Sequence, residues 1–113
     1  MATDPRLIPI DKLIITNTEK TGAADFPSTA LTPSFPPSTF RIMVVVDIAC
    51  KFSAVVTVAE TAYVVYFNGG SDLTANCIYP FDLLVHSGDT VQFEIDTTET
   101  IVLLRVQEIP SSL

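Results

Sequence analysis

Reactive side chains are sparse in this chain. His86 is its single histidine, and Cys50 and Cys77 are its two cysteines. A Ser-His-Asp relay needs an imidazole oriented by a carboxylate. His86 instead falls between Val85 and Ser87 at a predicted strand end, the setting of a solvated turn residue. Neither cysteine lies in the Gly-rich or helix-start context that lowers a thiol pKa. They read as free thiols packed like small hydrophobes, with a disulfide as the alternative. Zinc and copper sites need several clustered His, Cys or carboxylate ligands, and a blue-copper site needs two histidines and a cysteine, so one histidine excludes it. Glu94 and Asp96 lie two apart on a strand and share a face, the kind of carboxylate pair that glycoside hydrolysis uses. Asp72, Asp82 and Asp89 fall near turns but lack the spacing of a calcium loop. Both sets read as solvated acids. The chain has no phosphate loop, GxGxxG, CxxC or glycosylation sequon. These residues predict a non-enzymatic protein with no catalytic residue, no cofactor and no metal.

What remains is an architecture. The 113 residues suffice for one domain, or a small domain with an arm. Hydrophobic residues make up 48% and charged residues 17%, which is too apolar for a disordered chain. Six basic against thirteen acidic residues give a net charge of −7, so no basic surface is available to neutralise nucleic-acid phosphates. The segment MATDPRLIPIDK puts charges and prolines where a signal peptide needs an apolar stretch. No apolar run approaches the roughly 20 residues of a membrane helix. The expectation is a soluble protein made without export, bound to neither nucleic acid nor membrane.

From Thr39 onward Val, Ile, Phe, Tyr and Thr dominate, punctuated by turn residues, and the spacing predicts strand after strand. Phe40, Ile42, Val44, Val46 and Ile48 alternate as a core-facing set. Lys51 to Val58 is a second strand, with Phe52, Ala54, Val56 and Val58 on one face. Ala62 to Phe67 is a third, nearly continuously apolar. Asn68-Gly69-Gly70 tolerates positive φ, so a tight hairpin is expected there. Ile78 to His86 follows, with Pro80 marking an edge or a bulge. Thr90 to Asp96 alternates cleanly, and Thr100 to Ile109 closes the series. No window holds a helical period over three turns. The fold class is therefore all-β, an antiparallel β-sandwich or jelly-roll-like barrel over residues 39–113.

Residues 1–38 differ in texture. Six of the eight prolines fall in the first 37 residues, and Asp25 to Thr39 reads DFPSTALTPSFPPST. Proline removes backbone donors and biases its predecessor toward extended geometry. The expectation is an extended N-terminal arm carrying one short strand near Lys12 to Thr16. Its large apolar residues would cost solvation if left in water, so the arm lies on its own core or on a partner. Leu7, Ile8, Ile10, Phe26, Leu31 and Phe35 are the candidate partner-binding residues.

The later half carries a resemblance. Asn68 to Asp82 reads N-G-G-x-x-L-T-A-x-x-x-Y-x-F-D, Val85 to Phe93 reads V-x-x-G-D-T-x-x-F, and Leu104 to Ile109 reads L-x-V-x-E-I. Over about 45 residues this resembles small β-domain virion structural proteins of tailed phages and archaeal viruses. The resemblance implies a decoration (cement) protein that binds the capsid shell as a small homo-oligomer such as a trimer. Its partners would be itself, the major capsid protein and other virion subunits. Its place would be the virion, assembled in the host cytoplasm. A tail or baseplate β-component shares every one of these features. A carbohydrate-binding module is the rival from another class, with Tyr63, Tyr66 and Tyr79 as a small stacking platform.

Overall fold

Period-two alternation becomes strand wherever turn residues leave it uninterrupted. The computed structural model describes residues 9–22 and 24–110. They form eight strands: β1 (Ile10–Lys20), β2 (Phe26–Leu31), β3 (Ser38–Val46), β4 (Phe52–Val58), β5 (Thr61–Tyr66), β6 (Tyr79–Val85), β7 (Thr90–Ile95) and β8 (Glu99–Pro110). Two antiparallel four-stranded sheets result, ordered β1-β8-β3-β6 and β2-β7-β4-β5. There is no α-helix among the described residues.

The two sheets pack like a sandwich through one shared core. β3 contributes Phe40, Ile42, Val44 and Val46, each fully buried. Phe52, Ala54 and Val56 of β4 and Val91, Phe93 and Ile95 of β7 meet them from the other sheet. Between Val45 and Val46 the β3–β8 register slips from Leu103 to Ile101. The extra residue, Val102, lets both Ile101 and Leu104 face inward despite their odd spacing. Six rings, Phe26, Phe93, Phe52, Phe67, Phe81 and Tyr79, run through the core with neighbouring centroids 4.6–6.3 Å apart. The stack crosses from one sheet to the other at the Phe67–Phe81 contact, so β5 and β6 lie on the same flank.

Four expectations need revision. From Ile10 on, the segment expected as an arm is built into the sheets: β1 pairs with β8, and β2 with β7. Proline permits this because β2 is an outer strand, where a missing N–H at Pro27 need not break a ladder. Residues 1–8 lie outside the described residues. Asn68-Gly69-Gly70 is not a hairpin turn. All three residues have positive φ, but they form a single 3₁₀ turn where the chain leaves β5 for the other sheet. The tight hairpin is Ala59-Glu60 between β4 and β5, with φ of 49° and 71°. Ile48 does not join the core, because Asp47 ends β3 by exchanging hydrogen bonds with Thr100. It is exposed, as is Val58 at the end of β4.

Candidate contact surfaces

The six residues expected to touch a partner separate into four groups. Leu7 and Ile8 lie outside the described residues. Phe26 and Leu31 are buried in the domain's own core, Phe26 against Phe93. That is a correction to their reading as contacts offered to a partner, and its cause is the pairing of β2 with β7. Ile10 is half-buried on β1, opposite Glu108. Phe35 stays exposed on the β2–β3 loop.

Glu108 holds that loop. Its carboxylate is fully buried and accepts the Ser34 N–H at 2.8 and 2.9 Å, the Phe35 N–H at 2.9 Å and the Ser38 hydroxyl at 2.8 Å. Lys12 Nζ lies 3.1 Å from it and also donates to Ser34 Oγ. Burial pushes the Glu108 carboxyl up, but these donors outweigh burial and hold it below the usual carboxylate range. The arrangement ties β1, the β2–β3 loop, β3 and β8 into one knot. Sequence reading missed it: Glu108 alternates with Val106 on the inward face of β8, and an acid at an inward position was the available signal.

The opposite end of the sandwich gathers the β1–β2, β3–β4, β5–β6 and β7–β8 turns, and acids crowd it. Asp96, Glu99, Asp72 and Asp47 surround Cys50, whose thiol is pushed up to about 12 by burial first and those charges second. Burial and like charge both disfavour a thiolate at Cys50. Cys77 is exposed, and both thiols are free. Nearby Glu94 is pushed up by burial, then by a hydrogen bond and charge from Asp25, against a smaller opposing bond from Ser53. Glu94, Asp96, Lys51, Ser53, Tyr66 and Gly22 line a shallow pocket of about 140 Å³. Gly22 is required there, since a Cβ would sit 2.8 Å from the Ile95 carbonyl oxygen.

The remaining sites resolve into local structure. The His86 N–H donates to Asp89 Oδ2 within the β6–β7 turn. Asp82 pairs with Arg41, and Asp11 with Arg105, on the outer face of the first sheet. No cluster of three or more His, Cys, Asp or Glu that could hold a metal occurs among the described residues. Tyr63 opposes Val56 and Tyr66 opposes Ser53, so the two rings project to opposite faces of β5. Tyr79 is turned inward, where its hydroxyl accepts the Thr74 N–H. The three tyrosines therefore do not share a platform.

Exposed apolar groups concentrate on the flank where β5 and β6 lie. Tyr63, Val64 and Tyr66 on β5 are 45–60% exposed, and Ile78 just before β6 and Leu84 within it are 65% and 56% exposed. Ile14 and Met43 add a second apolar area on the outer face of the first sheet. No protein-family model, curated protein or solved structure matches this chain.

Proposed function

We propose that this chain is a non-enzymatic structural protein of a virus particle, a decoration protein that binds the shell as a small oligomer. The observation carrying this reading is the strand order, β1-β8-β3-β6 facing β2-β7-β4-β5. Eight strands in two four-stranded sheets, with nearly every connection crossing between sheets, support a jelly-roll reading, and viral capsid domains are one recurrent use of that architecture. Fold alone does not assign function. The assignment also leans on the resemblance of the turn and strand-end motifs from Asn68 to Ile109, and on the surface just described. An acidic end keeps densely displayed copies soluble, while exposed apolar strands supply contacts that add through multivalency. In this reading Leu7, Ile8, Ile10 and Phe35 reach the shell or a neighbouring subunit, and Phe26 and Leu31 serve the core.

The test is particle proteomics followed by binding. Virus particles purified from the source cells should carry this chain in many copies, and particles stripped of it should rebind the purified protein. The double substitution Leu7→Asp, Ile8→Asp should weaken rebinding. Absence of the chain from purified particles overturns the proposal. Presence in a few copies at one vertex moves it to the tail or baseplate.

A further inference from the structure

Four strands close the two sheets, and three of them carry features that blunt pairing with another chain. β1 has a register break between Asp11 and Leu13 and bears Asp11, Lys12, Glu19 and Lys20. β2 contains Pro27 and an irregular register. β6 contains Pro80 and Asp82. β5 has none of these. Its sequence, TAYVVY, holds no charge, no proline and no glycine, and its register with β4 is unbroken. Five of its six residues are exposed and the sixth is half-buried. Such a segment on a sheet edge is an aggregation hazard unless something covers it.

The backbone identifies what the edge offers. The Phe67 N–H donates to the Phe52 carbonyl, continuing the register in which Ser53 opposes Tyr66. Hydrogen-bonded pairs alternate along an antiparallel ladder. Val65, Tyr63 and Thr61 thus direct their backbone groups to β4. Ala62, Val64 and Tyr66 direct theirs away from the sheet, where β5 has no neighbouring strand among the described residues.

We propose that β5 pairs antiparallel with β5 of a second copy about a two-fold axis at Val64, joining two four-stranded sheets into one of eight strands. The inference is independent of the virion reading. Directly opposed residues must share a face, so the axis has to pass through a residue. At Val64 it sets Val64 opposite Val64 and Ala62 opposite Tyr66 on the outer face, small against large. It sets Tyr63 opposite Val65 on the other face, an aromatic and β-branched pair of the kind that stabilises sheets. All three outward-directed residues then fall in hydrogen-bonded pairs. An axis at Tyr63 instead brings Glu60, a left-handed turn residue, into the ladder opposite Tyr66 and loses bonds. Charge favours a copy of this chain as occupant. With a net charge of −7, most surfaces repel themselves, but this strand is uncharged. The antiparallel arrangement places each Glu60 beside the partner's Asn68, at opposite ends of the ladder. Ile78 and Leu84, on the same flank, extend the apolar border.

The experiment is sedimentation equilibrium of the full chain carrying Cys77→Ser, which removes the exposed thiol. A reversible dimer is expected. Val64→Lys, at a site whose side chain already reaches solvent, should raise the dimer dissociation constant at least about ten-fold, because like charges would face across the axis. Oxidative cross-linking reads the register without relying on that variant. Val64→Cys should cross-link to itself, since Cα atoms of a hydrogen-bonded antiparallel pair lie about 5.5 Å apart, within disulfide range. Ala62→Cys and Tyr66→Cys should each fail alone and cross-link when mixed. A chain that stays monomeric at every concentration overturns the proposal. So does a dimer that neither responds to Val64→Lys nor cross-links through Val64→Cys, which would place the interface on another surface.

Discussion

Two glutamates at opposite ends of the sandwich meet opposite fates. Glu108 is fully buried, yet its charge is stabilised, because two backbone N–H groups, a hydroxyl and Lys12 converge on it. Glu94 is only half-buried, yet its charge is opposed, by burial first and by neighbouring Asp25 second, with one weak bond from Ser53 as the counterweight. Burial alone predicts the reverse order. What decides is the supply of donors. The Glu108 end is a closed knot in which a loop, two strands and an edge strand depend on one carboxylate. The Glu94 end is an accumulation of like charge, with Asp47, Asp72, Asp96 and Glu99 around Cys50.

The largest predicted effect tests the knot. Glu108→Ala strands Ser34 and Phe35 N–H groups and leaves Lys12 unpaired, which should cost about 3 kcal/mol or more in chemical denaturation. Glu108→Gln keeps the shape but turns an amide donor toward groups that are themselves donors, so it should recover only part of the loss. The pH dependence has a definite sign. A carboxyl held low in the folded state stabilises the fold above the ordinary carboxylate pKa, and that contribution is lost as pH falls through the folded value. The wild-type protein should therefore lose stability below about pH 4.5. Glu108→Gln should flatten that acid limb. An unchanged limb would mean that the knot is not the acid-sensitive element.

The next effect asks whether the knotted end is also free of strain. Ala59 and Glu60 both adopt left-handed backbone geometry in the β4–β5 turn, a conformation costing roughly 1–2 kcal/mol for each residue with a Cβ. Two-residue hairpins of this hand favour Asn-Gly. Ala59→Asn with Glu60→Gly should therefore stabilise the protein by about 1–2 kcal/mol, read as a raised melting temperature. No gain would show that the backbone relaxes there in solution.

The contrast between the ends also marks what could be read from sequence. Strand positions from Thr39 onward followed from alternation, because Phe40, Ile42 and Val44, or Val91, Phe93 and Ile95, repeat with the pleat itself. The pairing of β1 with β8 and of β2 with β7 was not legible, since it joins residues some 60 to 98 apart in the chain and prolines pointed to a loose arm. The hairpin was misplaced for a related reason. Asn68-Gly69-Gly70 has the residues a hairpin prefers, while Ala59-Glu60 adopts the geometry without them. Of the candidate contacts, Phe35 was found on the surface. The exposed β5 strand was read simply as apolar, because an apolar strand in a core and one on an unguarded edge have the same composition.

The smallest effect is the most diagnostic of the comparison. Glu94 carries a raised carboxyl pKa, so its charge works against the folded state at neutral pH. The sign is opposite to that of Glu108: this site stabilises the fold below the ordinary carboxylate range, and the contribution disappears as pH rises through the raised folded value. Glu94→Gln removes the repulsion from Asp25 and keeps an acceptor for the Ser53 hydroxyl. Because the pair borders solvent, the gain should stay under about 1 kcal/mol at neutral pH and shrink with added salt. Measured together, the two variants should reshape different limbs of the same stability curve, Glu94→Gln raising the limb above the carboxylate range and Glu108→Gln levelling the limb below it. If both variants move the same limb, donor supply does not distinguish the two glutamates, and the contrast between the two ends fails.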